Sequence, residues 1–222
     1  MLKNIILLAG TVFVCHVHAA IPNATTSNSN VNPEINFEEQ YKVAKNPALS
    51  MATRWKALLQ ASDVAEGEQF NKILSFTKDK DWYMRNAALV ALDKMGSDLV
   101  YDKAKELIND KALVVRSAAA DILMRLQNSA DVRRIFSKEL SKNYNFNGKS
   151  SLWIRPQIMR YLTQKPQADE KSFFVQYLHD RDPAIASMSV DALEKLTQVR
   201  FESKDRKNLV AQWKKYAQDN KW

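Results

Sequence analysis

The sequence predicts an all-α fold built from stacked helix pairs, and three observations carry that expectation. The first is a repeat. Arg54, Arg85 and Arg116 stand 31 residues apart (85 − 54 = 116 − 85 = 31), and Arg155 and Ala186 are again 31 apart. From Arg116 to Arg155 the step is 39, the same period with eight residues inserted. A fixed period of this size marks supersecondary units that bury their apolar faces on one another. The second is hydrophobic spacing: Met84, Ala87, Ala88, Ala91, Leu92 and Met95 recur at i, i+3, i+4, i+7, i+8 and i+11, one broad helix face. The third is that no stretch alternates polar and apolar residues convincingly, so no strands are expected.

The first nineteen residues stand apart from the repeats. Met1-Leu2-Lys3 gives a charged start, Ile5 to Val14 is apolar apart from Gly10 and Thr11, and Val17-His18-Ala19 offers small residues for cleavage. Residues 1–19 are therefore expected to be a secretory signal peptide, too short for a membrane span. Val14 precedes Cys15 where a lipoprotein signal wants Gly, Ala or Ser, so no lipid anchor is expected. No other run approaches the roughly 18 apolar residues of a spanning helix. The mature chain is accordingly expected to be periplasmic or secreted. Residues 20–37, rich in Asn, Ser and Thr, read as a disordered leader with little to bury.

The remainder, 38–222, is expected to fold as one stack, with units near 47–79, 80–110, 111–148, 149–180 and 181–200 and a closing helix at 203–219. In the second unit Gly96-Ser97 is a stop followed by an N-cap, and the partner helix presents Leu99, Ala104 and Leu107. The third unit repeats the pattern with Val115, Ala118, Ala119, Ile122 and Leu123, then Val132, Ile135, Phe136 and Leu140. In the fourth, Trp153 falls at an apolar helix position, and Phe173, Phe174 and Tyr177 suit a core. In the closing helix Leu209, Trp213 and Tyr216 at i, i+4 and i+7 suit a cap over the open end of the core.

Acidic residues keep register with the markers. Asp79, Asp110 and Asp180 each precede Arg85, Arg116 and Ala186 by six residues, and Asp81 and Asp182 precede Arg85 and Ala186 by four. A carboxylate there caps a helix mouth, and the Asp…Arg pairs can also bond one repeat to the next. A position that recurs implies a structural task that recurs, so these are not read as an acid–base pair, and the marker arginines are read as structural.

The pattern Asp79-x-Asp81-x₃-Arg85-x-Ala87-Ala88-x₃-Leu92, continued by Asp110, Arg116, Ala118, Ala119 and Leu123 and by Asp180-x-Asp182-Pro183 with Leu193, resembles the HEAT repeat family. The likeness is to the short units named after phycobilisome lyases and covers roughly residues 47–200. The matches weaken at the edges: Ala48 and Lys149 stand at Asp positions, Pro156 follows Arg155, and the fifth unit carries Ala186 for Arg. The tail resembles the closing helix of exported bacterial HEAT-like proteins, with Gln198 where they often carry Gly. The resemblance implies a right-handed superhelical solenoid of about five helix pairs with a C-terminal capping helix. It also implies that the second helix of each pair lines a concave surface.

Composition narrows function by exclusion. Removal of the signal peptide leaves no cysteine and one histidine, His179, so disulfides, thiolate catalysis and His-pair zinc motifs are not expected. Three unclustered glycines remain, which speaks against phosphate-cradling loops and hence against a nucleotide cofactor. No catalytic constellation, metal site or small-molecule cofactor is expected. The charge is uneven: residues 111–165 hold 11 Lys/Arg against 3 Asp/Glu, a local +8, whereas 21–110 hold 11 against 13. Charge of one sign concentrated in one quarter of a chain points to an anionic partner.

The candidate partner-binding residues lie in that quarter. Arg134, Lys138 and Lys142 are spaced i, i+4 and i+8, with Arg133 beside them and only Glu139 nearby to balance them. The eight extra residues follow, in a stretch expected to be a loop that carries Tyr144, Phe146 and Lys149. Insertions in repeat proteins map to loops on one face, often the binding face, and cations among aromatics can grip a ligand by charge and stacking. The alternative is a solvated loop whose aromatics fold back on the scaffold. The leading functional expectation is a non-catalytic exported interaction module or scaffold for a protein of the cell envelope or an anionic polymer. A lyase or attachment factor, and a nucleic-acid-binding solenoid, are the alternatives; export makes nucleic acid the poorer ligand.

Overall fold

The computed structural model describes residues 35–126 and 129–222. The expected signal peptide and residues 20–34 of the expected leader lie outside them. The described residues include 35–37 of the expected leader. Asn36 caps the N-terminus of α1 (Phe37–Lys45), its side chain accepting the Glu39 N–H, and Phe37 is already buried.

The protein is mostly helical. After α1 come α2 (Met51–Asp63), α3 (Gln69–Ser75), α4 (Trp82–Lys94), α5 (Val100–Leu107), α6 (Leu113–Leu126), α7 (Ala130–Ser141), α8 (Ile154–Gln164), α9 (Lys171–Tyr177), α10 (Pro183–Thr197) and α11 (Arg206–Asp219). The caps are local chemistry. The Ser50 hydroxyl accepts the Thr53 N–H at 3.1 Å, and the Asp182 carboxylate accepts the Ala184 N–H at 2.9 Å with Pro183 at the first helical position. At the other end of α10, Gln198 takes φ 61°, a left-handed C-cap in which glycine would escape the Cβ clash.

The helices that carry the markers pack in sequence order, α2 on α4, α4 on α6, α6 on α8 and α8 on α10. Alanines at these joints, Ala87, Ala88 and Ala119, are fully buried and let the backbones approach closely. The second helices α3, α5 and α9 pack on the marker helix that follows, as does α7 on α8 across the insert. One hydrophobic cluster runs from Phe37 to Trp213. One helix at the start is additional to the expected units, and the closing helix lies where it is expected. Helix α1, ahead of the first expected unit, covers α2. At the far end α11 packs on α10, burying Leu209, Trp213 and Ala217, while Tyr216 is half-buried in ring contact with Trp213, Phe201 and Trp222.

Three expectations are corrected. Leu99 is exposed and Val100 is buried, because the Ser97 turn delays the start of α5 by a residue. Trp153 is 55% exposed rather than core, because it sits at the N-cap of α8, outside the face formed by Ile154, Ile158 and Leu162. The insert contains two short strands, β1 (Phe146–Asn147) and β2 (Ser150–Ser151), paired antiparallel. Gly148, at φ 61°, fills the turn position where a two-residue hairpin of the II′ kind calls for glycine.

Candidate binding surface

The marker arginines form an internal ladder, and its spacing is what positions the candidate surface. Arg85 donates from Nε and Nη2 to Asp110 at 2.6 and 2.7 Å, a bidentate bond from the marker helix to the turn that leads into the next one, and from Nη1 to the carbonyls of Asp79 and Lys80. Arg155 makes the same bond to Asp180 at 2.5 and 3.2 Å. Arg54 reaches Asp81 at 2.7 Å and Asp79 at 3.7 Å. Of these pairs Arg54–Asp81 crosses from one expected unit to the next, while the others tie a marker helix to the turn that closes its own unit. The expected turn role is present too, since Asp79, Asp110 and Asp180 accept the N–H two residues on.

Arg116 breaks the pattern. It is 3% exposed, and no carboxylate pairs with it among the described residues. Its Nη1 still reaches the carbonyls of Asp110 and Lys111, but the insert supplies the rest: Asn145 Oδ1 accepts from Nε at 3.0 Å and the Tyr144 carbonyl accepts from Nη2 at 3.2 Å. The Arg116 guanidinium also lies 4.7 Å from the Tyr144 ring centroid. Burial pushes the Arg116 pKa below its usual value, against the fields of Tyr144, Glu139 and Asp110.

Beneath the insert, Glu139 is 2% exposed and accepts the Tyr144 hydroxyl at 2.9 Å and the Asn145 amide at 3.2 Å. Burial raises its carboxyl pKa, although these two donors and the charges of Lys142 and Arg116 pull the other way. The Tyr144 phenol is pushed up to about 12 by burial and by the Glu139 carboxylate. The hairpin reaches onward as well. The Ser151 N–H donates to Asp182 at 2.8 Å, and the Phe146 ring lies 3.8 Å from the Arg155 guanidinium.

These contacts sort the seven residues expected to bind a partner. Arg133 is corrected: it is buried, its guanidinium held bidentately by Glu170 at 2.5 Å and by the Leu162 carbonyl at 3.0 Å. It ties α7 to the short helical turn before α9. Arg134 is exposed but pairs with Asp131 at 2.7 Å, and Asp131 also takes Lys105 at 3.0 Å. Glu139 is therefore not what balances the stripe. The cleft beside Arg134 adds Asp169 and Glu170 to its lining, so that end of the stripe is of mixed charge. Tyr144 and Phe146 fold back on scaffold arginines, the alternative reading of the insert. Lys138, Lys142 and Lys149 are exposed and form no ion pair among the described residues.

The surface that remains is a run of free lysines from the last turns of α7 to the tip of the hairpin. Asn145 is the functional residue that sequence reasoning missed, and a signal for it exists. Asp79, Asp110 and Asp180 each follow a marker arginine by 25 residues (79 − 54 = 110 − 85 = 180 − 155 = 25), and Ser141 stands 25 after Arg116. A buried arginine without its aspartate must find acceptors elsewhere. No group of three or more His, Cys, Asp or Glu side chains able to hold a metal occurs among the described residues. No helix among them is long and apolar enough to cross a membrane. Compared with known proteins, the chain matches no family model, and no curated protein matches it.

Proposed function

We propose that this protein is a non-catalytic interaction module: an exported right-handed solenoid of HEAT-like helix pairs that binds an acidic protein or an anionic polymer through its basic central units. The observation that carries the reading is the set Lys138, Lys142 and Lys149, exposed and free of ion pairs in the one region where the repeat's aspartate is replaced by an insert. Unpaired ammonium groups on a folded, braced surface keep their charge available to a partner, whereas Arg133 and Arg134 already have carboxylates. The packing of α2, α4, α6, α8 and α10 in sequence order supports the solenoid.

The test is retention of the protein on an immobilised sulfated polysaccharide and on an acidic polypeptide, read against salt. Wild type is expected to bind both at low ionic strength and to release as salt shortens the screening length from about 10 Å at 0.1 M to about 3 Å at 1 M. Lys138→Glu/Lys142→Glu/Lys149→Glu, all at exposed positions, is expected to fold normally and lose retention. Equal retention of the triple variant would reject the assignment of these lysines.

A further inference from the structure

A second group of unpaired donors lines a cleft beside the hairpin. The cleft, of about 460 Å³, opens between the insert and the end of α9, with Asn143 and Phe146 on one wall and Gln176, Tyr177, His179 and Arg181 on the other. Arg181 is the residue that sets its character. It is exposed, and its guanidinium carbon lies 3.3 Å from the Phe146 ring centroid. Arg155 stands 3.8 Å from the same centroid. Distances this short put the two guanidinium groups on opposite faces of the ring, since one face has no room for both.

The two arginines differ in what they leave free. Arg155 is occupied: its donors go to the Leu140 carbonyl at 2.7 Å, the Ser151 hydroxyl at 2.6 Å and both oxygens of Asp180. Arg181 makes no hydrogen bond or ion pair through its guanidinium with any described residue. Stacking holds such a group in place without using its N–H edge, so the fork points at whatever fills the cleft. The one carboxylate in the lining, Asp180, is neutralised by Arg155 and also accepts the Asp182 N–H at 2.8 Å. The cleft therefore carries one uncompensated positive charge. Tyr177, 8% exposed, has a hydroxyl with no hydrogen bond among the described residues. Burial pushes its pKa up to about 12, so it remains a donor at neutral pH.

We propose that this cleft is an oxyanion seat, in which the Arg181 guanidinium binds a phosphate, sulfate or carboxylate group and the cleft wall supplies neutral donors, Tyr177 among them. Phe146 is a positioning residue: it aims Arg181 and does not itself touch the ligand. The seat rests on the reading of the protein as an anion-binding module and deepens it. One charged group of the partner sits on Arg181, and the rest of the partner meets Lys142 and Lys149 on the same insert.

Titration with inorganic phosphate, sulfate and acetate, followed by the ¹⁵Nε signal of Arg181 and by calorimetry, tests the seat and separates tetrahedral from carboxylate sources. Saturable binding is expected in wild type. Arg181→Gln is expected to weaken it by about tenfold or more, as loss of a charged hydrogen-bonded pair does. Phe146→Leu is expected to weaken it severalfold, and Phe146→Tyr, which keeps the aromatic face, to restore it; a purely structural role for the ring would not separate these two. Wild-type phosphate affinity in Arg181→Gln overturns the proposal. Retention on polyanions separates the two readings. Loss in the triple lysine variant with no phosphate binding by wild type removes the seat alone. Phosphate binding lost in Arg181→Gln, with polyanion retention unchanged in both variants, keeps the seat and removes the broader reading.

Discussion

The joint between α4 and α6 and the joint between α6 and α8 solve one problem in two ways. At the first, a part-buried arginine meets a part-buried aspartate, Arg85 with Asp110, and the charges cancel across the joint. At the second, Arg116 meets an amide, a carbonyl and an aromatic face, and Glu139, whose field reaches it, bonds Tyr144 and Asn145 instead. The difference bears directly on the basic quarter of the chain. Where other units carry an Asp after the second helix, this one carries Lys149 at the tip of a hairpin, so a structural negative charge has been exchanged for an exposed positive one. The insert is thus both the replacement for a missing strut and the source of the free charge.

The sharpest way to break the comparison is to remove the insert. Read as sequence, deleting Asn143–Lys149 is expected to leave helicity and melting nearly unchanged, since loops carry little core. The structure reverses that expectation. The deletion takes away both insert acceptors of Arg116, both side-chain donors to Glu139 and the ring between Arg155 and Arg181. A buried cation that loses two of its four acceptors and a buried carboxyl that loses both side-chain donors cost several kcal/mol together, so a loss of about 5 kcal/mol in urea-unfolding free energy is expected. A loss of under about 1 kcal/mol would return the insert to the status of a solvated loop.

The second prediction weighs the two joints against each other. Asp110→Ala leaves the part-buried Arg85 without its carboxylate, holding only the Asp79 and Lys80 carbonyls, and is expected to cost about 3 kcal/mol, the low end for a broken buried pair. Asn145→Ala removes one neutral acceptor from Arg116 while the Tyr144, Asp110 and Lys111 carbonyls remain, so about 1–3 kcal/mol is expected. Equal costs for the two variants would mean that the insert's joint is as strong as the ionic one. The ionic joint should also weaken in acid. Burial would raise the Asp110 carboxyl, but the Arg85 bonds, the Ala112 N–H and the fields of Arg85 and Arg116 hold it below the usual range. A depressed carboxylate contributes stability present above its unfolded pKa and lost as pH falls through the folded one.

How far these joints were legible in the sequence depended on what kind of signal each residue leaves. The marker helices could be read because Met84, Ala87, Ala88 and Leu92 repeat as Val115, Ala118, Ala119 and Leu123, and helical period survives substitution. The Asp–Arg struts could be read because both residues recur in register. For Asn145 the sequence shows only the gap, Ser141 where the register calls for Asp, and not the substitute, which stands at a different position inside an irregular stretch. Trp153 was misplaced because the insert resets the helix frame, and an error of one residue moves a side chain from the buried face to the N-cap. Arg181, between two aspartates, leaves no signal of its own in the sequence. Its role depends on Phe146, 35 residues earlier (181 − 146 = 35), whose ring only the folded hairpin brings under it.

The smallest expected effect isolates the one acid that belongs to the insert's joint. Glu139→Gln removes a buried negative charge yet keeps an oxygen to accept the Tyr144 hydroxyl, and Asn145 keeps its bond to the backbone carbonyl of residue 139 at 2.9 Å. Loss of the attraction to Arg116 and relief of the desolvation oppose each other, so the change at neutral pH should lie within about 1 kcal/mol. Its pH dependence carries the information. The Glu139 pKa is raised in the folded protein, so wild type holds this proton longer folded than unfolded. That term favours the fold at low pH and is lost as pH rises from the usual carboxylate value through the raised one, the opposite slope to Asp110. The unfolding free energy of Glu139→Gln relative to wild type should therefore increase as pH rises from the usual carboxylate value toward neutrality. A flat difference across that window would show that Glu139 titrates like an ordinary solvent-exposed carboxylate, and that the insert's joint has no buried acid.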